Sequence, residues 1–111
     1  MTTEGNLAKT VSNAQISVNN EGYVQITNSN INQTGYNAIE IGLQKTVKTV
    51  LIDNVTFNSE LSNNAISIFD TEDNATVTIS NCNFVKCSNP LRISNRSGNK
   101  VTINIVNCNF G

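Results

Sequence analysis

Apolar and polar residues alternate in short runs that recur along the chain: Val24/Ile26, Val50/Ile52, Val77/Ile79 and Ile103/Ile105. A period of two puts successive side chains on opposite faces, so each run predicts a strand with one buried face. Every run leads into nearly the same hexapeptide: Ile26-Thr-Asn-Ser-Asn-Ile31, Ile52-Asp-Asn-Val-Thr-Phe57, Ile79-Ser-Asn-Cys-Asn-Phe84 and Ile105-Val-Asn-Cys-Asn-Phe110. Successive copies begin 26, 27 and 26 residues apart. Self-similarity at a fixed period of this size marks a stacked repeat architecture.

The third position of each hexapeptide is Asn, which tolerates the left-handed conformation better than other non-Gly residues. A bend there restarts the alternation. It turns inward both the next residue (Ser29, Val55, Cys82, Cys108) and the bulky one that closes the motif (Ile31, Phe57, Phe84, Phe110). A further short strand follows at 38–41, 65–68 and 90–93, where apolar positions again alternate. The stretches between, 32–37, 58–64 and 85–89, differ in length and read as loops, with Gly22, Gly35, Gly42 and Gly98 in connecting turns. One such unit cannot close its own core. Stacked units can, each inward residue lying on its equivalent at about 4.8 Å. Short alternating strands also permit an antiparallel sandwich. A sandwich gives no reason for Asn28, Asn54, Asn81 and Asn107 to share a register. In a stack those amides would form a ladder, each bonded to the one above.

With 111 residues the chain is expected to form one domain with a modest core. Its apolar fraction is only 38% and its charged fraction 14%, while Asn alone supplies 21 residues. Seven basic and eight acidic residues leave a net charge of −1 without any basic run, which argues against nucleic acid as a partner. Residues 1–6 show no charged-then-apolar leader and no apolar run reaches membrane length, so neither export nor a membrane partner is expected. The tripeptides beginning at Asn32, Asn54, Asn74 and Asn95 fit the glycosylation pattern. In an Asn-rich chain without a leader they read as coincidence.

Candidate chemistry is sparse. Glu40 faces outward, and its equivalents one and two coils on are Ser67 and Arg92. Asp53 is also outward, in a column with Thr27, Ser80 and Val106. Neither column supplies the facing carboxylates that glycoside hydrolysis needs. Asp70-Thr-Glu-Asp-Asn74 could hold calcium loosely, but it lacks the glycine and spaced ligands of a dedicated loop and reads as a solvated turn. The chain has no histidine, which excludes His-dependent acid–base schemes. Cys82 and Cys108 share an inward position in successive units. Two parallel side-chain vectors suit a disulfide poorly, so buried thiols acting as small hydrophobes are expected. Cys87 has no evident partner, and no CxxC spacing suggests zinc. No catalytic, cofactor-binding or metal-binding residue is assigned.

The motif Ile-x-Asn-[Ser/Val/Cys]-x-[Ile/Phe], repeated in register across residues 12–110, resembles right-handed parallel β-helix proteins, the group containing pectate-lyase-like enzymes and phage tailspike stems. The resemblance implies an all-β chain: a short right-handed parallel β-helix of about four coils over 12–111, with an N-terminal cap or arm over 1–11. One helical turn is expected around Leu7-Ala-Lys. Pectate-lyase-like activity would require grouped acidic calcium ligands beside a basic catalytic residue, and no acidic cluster accompanies Arg92 or Arg96, the only arginines. Four coils stand about 20 Å tall, and both ends need covering. Gly111 directly follows the inward Phe110 with nothing polar over it, so either the last coil is blunt or another chain covers it, and the chain is not expected to act as an isolated monomer. The combined expectation is a non-enzymatic structural protein of a phage virion, a capsid decoration or a fibre or spike component, made in the host cytoplasm. It would dock on capsid protein or on copies of itself as a homo-oligomer. A carbohydrate-binding or polysaccharide-active β-helix fragment is the alternative, with only Tyr23 and Tyr36 as aromatic platforms, and an intracellular interaction module is a third.

Overall fold

The computed structural model describes residues 2–3, 6–7, 10–12, 16–18, 23–32, 38–42 and 46–110. Its regular elements are all strands: β1 (Thr2–Thr3), β2 (Asn6–Leu7), β3 (Thr10–Ser12), β4 (Ile16–Val18), β5 (Tyr23–Asn32), β6 (Ile39–Ile41), β7 (Val47–Ile68), β8 (Thr71–Ser80), β9 (Asn83–Ile93) and β10 (Val101–Val106). Every pairing between them is parallel. That excludes the antiparallel sandwich. Nor does Leu7 lie in a helical turn: Asn6–Leu7 is extended and pairs with Gln25–Ile26. The rest of the expected turn, Ala8 and Lys9, lies outside the described residues. Strand β3 runs through the expected boundary between arm and repeat domain at residue 11.

Parallel pairing follows the repeat. Val24 lies beside Val50, Val50 beside Val77 and Val77 beside Ile103, while Ile26, Ile52, Ile79 and Ile105 form the adjoining column. Beyond the bend, Ile31 pairs with Phe57 and Phe57 with Phe84. A third set joins Ile39, Ile66 and Leu91. Because the inward residue of each repeat sits on a similar one, the buried columns stack like on like. Phe57 and Phe84 have centroids 4.9 Å apart and ring planes 2° from parallel, and Phe110 continues the stack 5.1 Å from Phe84. The spacing of the rings is set by the spacing of the strands.

The predicted bends are present. Asn28, Asn54, Asn81 and Asn107 have φ of 50°, 54°, 52° and 52°. Asn74 and Asn95 adopt the same region without belonging to the hexapeptide. The stretches read as loops are different from expectation at two places. Residues 58–64 lie within β7 and 85–89 within β9, and the two strands stay paired through register shifts between Asn58 and Leu61 and between Leu61 and Asn64. Seven residues facing five are accommodated by bulges instead of a detached loop. Of the stretch 32–37, residues 33–37 lie outside the described part.

Candidate functional site

The bends place one Asn at the same corner of each repeat. Asn54 donates its Nδ2–H to Asn28 Oδ1 at 2.8 Å, and Asn107 donates to Asn81 Oδ1 at 2.7 Å. The expected unbroken ladder fails between these pairs. Asn81 Nδ2 donates to Asp53 Oδ1 at 2.9 Å, and Ser80 Oγ donates to the same oxygen at 2.7 Å. A carboxylate is a stronger acceptor than a neutral amide oxygen. The break also falls at the single 27-residue step, where spacing departs from 26.

These contacts leave the carboxylates little chemistry. The Ser80 hydroxyl, then the Asn81 amide, hold the Asp53 carboxyl below its usual range against a small opposing effect of burial. Asp70 Oδ1 accepts from Ser97 Oγ at 2.6 Å, Thr71 N at 3.0 Å and Ser97 N at 3.1 Å, and its carboxyl is likewise lowered, chiefly by the Ser97 hydroxyl. Asp73 Oδ1 accepts from Lys100 N at 3.0 Å. The segment read as a solvated turn is therefore the start of β8, with Thr71 fully buried and its hydroxyl on Asn95 Oδ1. Its acids tie down the connection at 95–100. Arg96 belongs to the same clasp: its Nη2 donates to Gly42 O at 3.2 Å and its guanidinium lies over the Phe69 ring. Glu40, Ser67 and Arg92 do share one column, and Ser67 is buried between the longer two. Among the described residues no group of three or more His, Cys, Asp or Glu could hold a metal ion.

Folding lowers both Asp pKa values, so the stability they add is present above the unfolded value and disappears as pH falls through the folded one. Melting temperature should drop once pH goes below about 4. Asp70→Asn should melt lower than the native chain at neutral pH and lose less on acidification. An identical acid profile for the two chains would show that the clasp is not the source.

The residue after three of the four hexapeptide bends performs a second repeated task, Val55 being the exception. Ser29 Oγ donates to Thr27 O at 2.8 Å, Cys82 Sγ to Ser80 O at 3.2 Å and Cys108 Sγ to Val106 O at 3.4 Å. Each reaches back across the bend to a carbonyl two residues earlier. Cys87 makes the same contact with Val85 O at 3.6 Å. None of the three cysteines is in a disulfide. Burial pushes the Cys82 thiol up to about 12 and raises Cys87 as well, which suppresses the thiolate that would act as nucleophile or metal ligand. With a thiol reagent at pH 8, Cys82 is expected to react only as fast as the chain unfolds, after Cys87 and Cys108, as read by peptide mass mapping. Rapid native-state labelling of Cys82 would contradict this environment.

The terminal layer differs from those beneath it. Val77, Ile79 and Phe84 are 0–1% exposed, whereas their equivalents Ile103, Ile105 and Phe110 are 39%, 46% and 48% exposed. Among the described residues β10 pairs only with β8, and residues 101–110 carry no charge. Edge strands are normally blunted by charge or proline, and this one has neither. Tyr23 is exposed on β5 but has no aromatic equivalent above it; Tyr36 lies outside the described residues. Sequence reasoning missed the Asp70–Ser97 and Arg96–Gly42 clasp, since neither pair recurs in the other repeats.

No family model matches this chain, and no curated protein or solved structure matches it significantly.

Proposed function

We propose that the chain is a short right-handed parallel β-helix acting as a non-enzymatic structural component that docks on other protein through its terminal layer. Right-handedness is the rule for crossovers between parallel strands. The in-register parallel columns supply the helix-like stack that this reading needs. The observation that carries the proposal is the partial exposure of Ile103, Ile105 and Phe110 on core columns that are closed in the layers of β5, β7, β8 and β9. Hydrogen bonds that occupy Asp53, Asp70 and Asp73 favour a scaffold over a hydrolase. On the strength of the repeat's resemblance to tailspike stems, the assembly proposed is a phage virion, with capsid protein or a further copy of the chain as partner.

The test is native mass together with co-sedimentation on purified capsids, for the native chain and for Ile105→Lys. Oligomers or capsid binding that the lysine abolishes support the reading. A monomer that ignores capsids and binds an oligosaccharide overturns it in favour of the carbohydrate-binding alternative.

A further inference from the structure

The outward side of the sheet formed by β5, β7, β8 and β10 extends over several layers, and its outward side chains have no role in the docking just described. Thr49, Thr76 and Thr102 form one outward column in consecutive repeats, with registers Thr49 beside Thr76 and Thr76 beside Thr102, and the exposed Tyr23 stands at its β5 end beside Thr49. Two residues along, the next column runs Gln25, Leu51, Thr78 and Asn104, an aliphatic side chain standing among the polar ones. The hydroxyls and amides therefore stand on a two-dimensional grid, about 4.8 Å between strands and about 6.6 Å along each strand.

Three features of this grid restrict what it fits. First, it is nearly neutral: Asp53 is the only charged outward residue at these registers, and its Oδ1 is taken up by Ser80 and Asn81. The nearby Lys48 turns its Nζ to Asp73 O at 2.7 Å. Phosphate polymers and charged protein patches thus find no complement here. Second, it is stiff. Thr is β-branched, with few χ1 states, and stacked parallel strands with side-chain ladders resist twisting. Third, Thr49, Thr76 and Thr102 repeat one side chain along a column, where a protein hot spot would instead be a single aromatic or arginine anchor in a pocket. A rigid, neutral, periodic set of hydroxyls and methyls matches a ligand that is itself neutral and periodic. Ordered water is such a ligand, and the strand spacing lies close to the repeat of like oxygens along the a axis of hexagonal ice.

We propose that this face binds ice. The Thr hydroxyls and the Asn104 amide complete hydrogen bonds to lattice water, Gln25 Oε1 being taken by the Tyr23 hydroxyl at 2.7 Å, and the Thr methyl groups hold water in cages between them. The experiment is ice-recrystallisation inhibition and thermal hysteresis on the folded chain, with Thr76→Lys in the grid and Thr56→Lys on the neighbouring outward face as control. The native chain and T56K are expected to arrest crystal growth. T76K is expected to lose the effect while melting at the native temperature. Native protein no more active than the same protein heat-unfolded, or equal activity in T76K and the native chain, overturns the proposal. Neither measurement depends on capsid binding, so its outcome is separate from that of the docking reading.

Discussion

Phe84→Ala is expected to destabilise the fold by about 3–5 kcal/mol, enough to unfold much of the population of a domain this small. Phe84 is 1% exposed and is clasped between two parallel rings, Phe57 at 4.9 Å and Phe110 at 5.1 Å. Truncation removes its apolar burial and also deprives both neighbours of a packed face. Strand spacing prevents Phe57 and Phe110 from closing the gap, because the layers are held by backbone hydrogen bonds such as Phe84 N to Asn109 O at 2.8 Å. The same change at Phe110, already half in solvent, should cost much less. Urea denaturation of the two variants measures the difference. Equal losses would mean that the ring column does not carry the core.

The second large effect is expected at Gly42. It sits at φ +79°, and a Cβ there would collide with the Asp70 carbonyl oxygen and lie 2.9 Å from the Asp70 nitrogen. Both obstacles are backbone, so no side-chain rotation relieves them. Gly98 has nearly the same φ, +76°, but open space where its Cβ would be. The pair separates conformation from collision. Gly98→Ala should cost only the left-handed penalty, about 1–2 kcal/mol. Gly42→Ala should cost about 3–5 kcal/mol, in the range reserved for specific structural damage, and should also loosen the Arg96 contact to the Gly42 carbonyl. Thermal melts of both variants test this, and similar melting points would place the whole cost in the backbone angle.

Much of this architecture was legible because each repeat writes the same instruction. Val24, Val50, Val77 and Ile103 share a column because alternation fixes their face and the 26–27-residue period fixes their register. The left-handed Asn residues were legible for the same reason. What the pattern could not convey lies where repeats differ. The interruption of the amide ladder depends on Asp53, which occurs once and draws Asn81 away from Asn54. The strands through 58–64 and 85–89 looked like loops because their lengths disagree, and length says nothing about whether bulged pairing persists. The clasp of Asp70, Arg96 and Ser97 has no periodic signal at all, because each member contacts residues 27 or 54 positions away through side chains found at no equivalent site. For the candidate surfaces, the sequence located the terminal Phe110 but not the outward Thr column. How far the former is uncovered depends on the layer packing, and Thr49, Thr76 and Thr102 come together only through the strand registers.

Among the described residues, each strand from β5 onward pairs only with its sequence-repeat neighbours. Length is consequently a free variable of the design: duplicating a 26-residue segment between two Asn corners, with the copy placed outside the span from Gly42 to Arg96 that the clasp holds, would lengthen the stack by one rung with the strand registers on either side kept. A chain built on this plan can be tuned in reach by whole-unit insertion or deletion, much as a ruler is cut at its graduations.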